Sequence, residues 1–226
     1  DNLGYALDGS PLDIKKEKLY LDGYHVEMRS GSARYDYLWM VRYHSEKRWQ
    51  WYCPVHEYLS PMKNSDGQYI WQASFGRITN AYIESRREGA RSADSRKYLR
   101  DAIAFEKALL DDPMNDRYLY YLAQSYRDAA TTFQKLAEDK KEEKAIYTQL
   151  MVKVNHLRQR AEKAYHYRAA TPPFDRWTDE YTYMAWLEAA KIRMQRKGYD
   201  KKTLEYLAKA HEKRSHRLEA PYYLLH

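Results

Sequence analysis

The residues best equipped for chemistry stand side by side at His56 and Glu57, after a run containing Trp49, Trp51 and Tyr52 and directly before Tyr58. A carboxylate placed past a short strand and a proline, here Pro54, can point into a cleft and accept a proton. The imidazole beside it can touch a metal ion or a phosphate. An ordinary surface carboxylate paired with one of the many basic residues is the competing reading of Glu57. The rings of Trp49, Trp51, Tyr52 and Tyr58 suit the C–H faces of sugars, and they suit a protein core equally. At alternate positions, at least one of Trp49 and Trp51 is expected inside. Arg91 and Lys97 can approach a diphosphate, although exposed basic residues usually do nothing specific.

Other chemistries find less support. His25, His44, His156, His166 and His211 are scattered without metal-ligand spacing. No glycine-rich phosphate loop, zinc motif or Ser-His-Asp arrangement can be read. The single cysteine, Cys53, excludes an internal disulfide framework and suits a reducing compartment, so a cytoplasmic location is expected. No run approaches the ~18 apolar residues of a membrane-spanning helix, and the first residues lack a signal-peptide pattern. The net charge of +7 invites a nucleic-acid reading. Residues 1–89 carry 12 basic and 12 acidic side chains, however, and the excess falls in 90–226, where Lys140 to Lys144 mixes both signs as a solvated helix face does. Nucleic acid is therefore not expected as a partner.

The elements that must position these residues belong to a chain of 226 residues, 44% of them hydrophobic, enough for one compact unit or two small ones. A mean hydropathy of −0.93 combined with 24 tyrosines points to a folded protein with polar grooves. Up to residue 89 the apolar residues alternate. Tyr24, Val26 and Met28 share one strand face, Ser30 to Ser32 supply a turn, and Tyr35, Tyr37, Trp39 and Val41 keep the period of two on the return. Trp49 to Cys53, Tyr69 to Ala73 and Ile78 to Ile83 are further strands, giving a sheet of four to six. From Ser92 the period becomes helical, with Ser92 or Asp94 as N-cap. Ala102, Phe105, Ala108 and Leu109 form one stripe before Pro113, and Tyr118, Leu119, Leu122, Ala123 and Tyr126 form the next. A longer helix follows from Ile146 to Ala164, and a last pair spans about 179–197 and 201–216 around Gly198.

Anchoring a 34-residue tetratricopeptide unit at Pro113 places Phe105, Ala108, Leu122, Ala123 and Tyr126 at its aromatic, small and Leu positions. The register is then lost, and 131–144 reads as an insertion of about ten residues; an ordinary helical bundle is the alternative. More specifically, Gly89 to Asp94, Lys97, Tyr98, Arg100, Asp101, Asp112, Pro113, Asn115, Arg117, Tyr118 and Tyr121 to Tyr126 resemble the junction of family 2 glycosyltransferases that carry C-terminal tetratricopeptide helices. Leu21 to Tyr24, Trp49, Trp51 and Val55 to Leu59 resemble the second half of the same catalytic domain.

That resemblance implies an α+β chain. Residues 1–89 would be the acceptor-side half of a GT-A-like domain with a mixed sheet, and 90–226 a tetratricopeptide-like domain of helical hairpins. It implies transfer of a sugar from a nucleotide-sugar to a sugar or peptide acceptor, with Glu57 as catalytic base. It implies a divalent metal, Mg or Mn, with His56 and Asp1 toward it, and substrate contacts from Trp49, Trp51, Tyr58, Arg91 and Lys97. The family's nucleotide-binding half and its Asp-x-Asp motif are not in this sequence; Asp1 lies where the final carboxylate of that motif would fall. The isolated chain is accordingly expected to be inactive, with a separate nucleotide-binding half or a protein in the helical groove as partner. The alternative function is a non-catalytic tetratricopeptide-like binding module.

Overall fold

Alternation of apolar and polar side chains from Tyr24 builds a strand with one buried face, and Gly31, at a φ of +60°, lets the chain reverse in the two-residue turn that follows. In the computed structural model, residues 2–6, 19–85, 94, 96–171 and 178–225 are described. They divide between two compact units, 1–93 and 94–226. The architecture is α+β, with a mixed sheet in the first unit and helices in the second.

In the first unit, β1 (Asn2–Ala6), β2 (Gly23–Ser30), β3 (Ala33–Val41) and β6 (Phe75–Ser85) form one sheet in the order β1-β6-β2-β3. The β2–β3 and β1–β6 pairs are antiparallel, whereas β2 and β6 are parallel. Val26, Met28 and Tyr24 from β2 pack with Ile78, Ala81 and Ile83 from β6. The odd spacing from Ile78 to Ala81 still leaves both buried because the register with β2 shifts between Val26 and Glu27. The strands β4 (Trp49–Tyr52) and β5 (Tyr58–Pro61) make a separate antiparallel ribbon. Residues 69–73 are not the strand that their aromatic content suggests. They contribute one isolated bridge, Lys63 to Tyr69, after a turn in which the Asn64 side chain accepts the N–H groups of Asp66 and Gln68.

The second unit holds, among the described residues, α1 (Lys97–Asp111), α2 (Asp116–Asp139), α3 (Lys144–Ala170), α4 (Thr178–Lys197), α5 (Lys201–Lys213) and α6 (Glu219–Leu225). Phe105, Leu122, Ala123 and Tyr126 are all buried. Contacts between α2 and α3 run from Gln134–Arg158 to Tyr120–Tyr165 to Asp116–Arg168, one number falling as the other rises, so the two helices are antiparallel. Between α2 and α4 the pairs Tyr120–Tyr181 and Arg127–Glu188 keep one offset, so alternate helices are parallel. This is the stacking of helical hairpins.

Two local expectations change. The stretch 131–144 is absorbed by helix lengthening, since α2 continues to Asp139 and α3 begins at Lys144 after a short turn. The cap of α1 is Arg96; Asp94 instead accepts the Arg96 N–H through its side chain, and Ser92 lies outside the described residues. Asn115 caps α2 by accepting from the Tyr118 N–H, Asp200 caps α5, and Gly198 takes a φ of +72° after α4. No helix among the described residues is long and apolar enough to cross a membrane.

Candidate functional site

His56 and Glu57 sit in the five-residue loop that joins β4 to β5, just past the last ladder pair, Tyr52 with Tyr58. Cys53 and His56 have φ of 79° and 58°, values that non-glycine residues seldom adopt. Two such residues in five tighten the loop, and strain of this kind gathers at functional positions. Val55 is buried and anchors the loop, while Pro54, His56 and Glu57 on either side of it are exposed. Tyr52 and Tyr58 stack at 5.7 Å beneath it. The Tyr37 hydroxyl, from β3, donates to the Glu57 carbonyl at 3.4 Å. Burial, and then the nearby Glu57 carboxylate, raise the Tyr37 pKa above the ordinary phenol value. A Glu57 carboxylate that is open to solvent and beside a phenol is placed to receive a proton from a bound hydroxyl compound.

The other expected residues divide. Trp51 is 59% exposed and pairs across the ribbon with Leu59, near the loop. Trp49 stands at the opposite end of the ribbon, opposite Pro61, and is the more buried of the two. Its ring meets Trp71 edge-on at 5.0 Å and Phe75 at 6.1 Å, and its Nε1–H donates to the Arg42 carbonyl at 3.2 Å. Lys97 belongs to the second unit, in the first turn of α1, with its ammonium 5.0 Å from the Tyr98 ring. Asp1 and Arg91 lie outside the described residues. Among the described residues no three His, Cys, Asp or Glu side chains converge, so His56 and Glu57 would need further ligands to hold a divalent metal.

No protein-family model matches this chain, and no curated protein matches it.

Two features of the sheet unit had been given no role from the sequence. The first is Asp22, which is buried at the start of β2. Its carboxylate accepts the Ser74 N–H at 2.8 Å, the Ser74 hydroxyl at 2.7 Å and the Lys47 ammonium at 3.0 Å. Those bonds, Ser74 first, hold its carboxyl well below the ordinary carboxylate range. The second is the aromatic cavity of about 600 Å³ that the same segment lines with Trp71 and Phe75. The motif from Leu21 to Tyr24 already contained Asp22, but its partner is 52 residues away, beyond the reach of any local pattern.

Proposed function

We propose that this chain is the acceptor-side part of a nucleotide-sugar-dependent glycosyltransferase of GT-A, family 2 type, with Glu57 as the base. The observation that carries the reading is the tight loop 53–57, which leaves the carboxylate of Glu57 open between stacked tyrosines and Tyr37. The sequence resemblance covers Val55, His56, Glu57 and Tyr58 of this segment. In an inverting transfer the acceptor hydroxyl oxygen forms a bond to the anomeric carbon as the bond to the diphosphate oxygen breaks, and the hydroxyl proton passes to Glu57. A divalent metal, Mg or Mn, would neutralise the leaving diphosphate when bound, and His56 and Asp1 are the ligands that the resemblance implies for it. The nucleotide-binding half must come from residues outside this sequence. A cytoplasmic location accompanies this reading.

The test restores the upstream half and compares variants. Glu57→Gln keeps the shape and loses the basicity, so kcat falls about 10²- to 10⁴-fold with KM nearly unchanged. His56→Ala weakens donor or metal binding instead. Full turnover in Glu57→Gln removes the base, and a loss of thermal stability without a separable loss of turnover makes Glu57 a merely structural carboxylate. Transfer by the 226-residue chain alone would also overturn the division of labour.

A second reading, a non-catalytic binding module, is favoured by a groove of about 480 Å³ in the helical unit, lined by Leu119, Leu122, Tyr126, Arg160 and Tyr167. Retained donor hydrolysis or transfer in a restored enzyme decides for the first reading, and its absence with retained peptide capture for the second.

A further inference from the structure

We infer that the cavity bounded by Tyr69, Trp71, Gln72, Phe75 and Ser60 is a subsite for a pyranose ring of the acceptor, distinct from the His56–Glu57 loop. The inference rests on the glycosyltransferase reading for the word acceptor, but the binding chemistry stands by itself. The cavity holds about 600 Å³, within the range of small-molecule sites. It lies toward the Trp49–Pro61 end of the β4–β5 ribbon, roughly 10 Å along the strands from the loop, about two sugar residues' reach.

Its walls have the two chemistries that a pyranose requires. One wall is aromatic: Trp71 together with Phe75 and Tyr69, which are 46% and 57% exposed. The face of such a ring is electron-rich and attracts the slightly positive axial C–H groups of a sugar. The other wall is polar, through the Gln72 amide and the Ser60 hydroxyl, which can bond ring hydroxyls. None of the lining residues carries a charge. Two cations stand just outside the lining, Lys47 at 5.3 Å from the Trp71 ring and Lys63 at 4.9 Å from the Tyr69 ring, so UDP is the ligand against which the sugars are compared.

The platform is also set before any ligand arrives. Trp71 donates its Nε1–H to the Arg48 carbonyl at 2.9 Å, and Trp49 braces its ring edge-on. Lys47, 5.3 Å from the Trp71 ring centroid, is itself tied to Asp22, and Asp22 holds Ser74, the residue between Ala73 and Phe75 of the lining. A fixed aromatic surface loses little freedom on binding.

The experiment titrates the 226-residue chain with cellotriose, maltotriose and triacetylchitotriose, and separately with UDP, reading tryptophan fluorescence and saturation-transfer NMR. At least one trisaccharide should bind with a Kd on the order of 1 mM. Tyr69→Ala and Gln72→Ala, both at exposed positions, should weaken it about fivefold, and Trp71→Ala more than about tenfold, with unchanged circular dichroism for the first two. Glu57→Gln should bind the trisaccharide as the parent does. Absence of saturation by all three sugars at about 50 mM, or affinity unmoved in both Tyr69→Ala and Gln72→Ala, overturns the subsite, as does UDP binding lost in those variants. The two readings fail separately. If Glu57→Gln retains turnover in the restored enzyme while the sugar still binds, the base falls and the subsite stands; if turnover is lost but Trp71→Ala and Tyr69→Ala bind sugar normally, the reverse holds.

Discussion

Buried tyrosines are concentrated in one of the two units. Both units leave tyrosines open to solvent, Tyr20, Tyr35, Tyr43 and Tyr69 in the sheet unit and Tyr167, Tyr181, Tyr199 and Tyr222 in the helical one, but among the described residues the sheet unit buries Tyr24 alone, whereas the helical unit buries Tyr126, Tyr165, Tyr183 and Tyr206. Two of these buried phenols are matched by carboxylates: Tyr126 donates to Glu106 at 2.6 Å and Tyr183 to Glu219 at 3.1 Å, and burial pushes the Tyr183 pKa up to about 12. The ion pairs divide in the same way. Between the helices, Glu162 is buried and receives Arg193 at 2.9 Å and also Arg196, and the fully buried Arg168 meets Asp116 at 3.1 Å. In the sheet unit Asp22 is the buried carboxylate among the described residues, and it accepts from Ser74 and Lys47. In the sheet unit the open ring of Tyr69 joins Trp71 and Phe75 around one cavity, and such clustered aromatic surface is where recognition should be sought.

This contrast can be broken most severely in the helical core. Phe105 is fully buried, with Tyr121 stacked at 6.0 Å and Tyr118 at 6.1 Å, so Phe105→Ala should cost about 3–5 kcal/mol in chemical denaturation. A loss below about 1 kcal/mol would mean that the α1–α2 packing is loose.

Asp22 comes next. Replacing it with Asn keeps the volume but strips the charge from two Ser74 bonds and from Lys47, at a cost of about 1–3 kcal/mol. The sign with pH follows from the depressed carboxyl. Its stabilisation is fully present above the unfolded value near ~3.9 and is lost as pH falls from there toward the lower folded value. Melting of the parent between pH 5 and 2 should therefore steepen relative to Asp22→Asn, and parallel curves would deny the carboxylate that role. The smallest effect belongs to Tyr43, 90% exposed; Tyr43→Ala should change stability by no more than about 0.5 kcal/mol. A larger loss would show that open tyrosines of this unit support the fold after all.

Legibility in the sequence followed the range of the interactions. The stripes through Phe105, Leu122 and Tyr126, the reversal at Gly31 and the stop at Gly198 all come from neighbours within a few residues, and all could be read. The strand and proline ahead of His56 and Glu57 were equally readable, but the partner strand β5, Tyr58–Pro61, was not among those expected. Pairing of β6 with both β1 and β2 has no local signature, and neither has the meeting of Asp22 with Ser74. Residues 69–73 misled for a related reason. Their large aromatic side chains favour strands, but Trp71 uses its N–H on Arg48 and its ring on Trp49, and the backbone finds no continuous partner.

The parallel pairing of β2 with β6 has a consequence for the order of assembly. Parallel neighbours must be joined by a crossover, so everything from Gly31 to Ser74 is the connection between two adjacent strands. Closing it brings Gly23 to Phe75, and the entropy lost in ordering so long a loop is met before the strand pair returns any of it. The β2–β3 and β4–β5 hairpins are local and can form early. The aromatic cavity is lined by residues between Ser60 and Phe75, within and at the return end of that connection, and Trp49, which meets Trp71 edge-on, lies inside it too. The Asp22–Ser74 bonds fasten that return. The long-range support of the aromatic surface, from Asp22 to Ser74, is therefore added late in folding, by the same closure that completes the sheet.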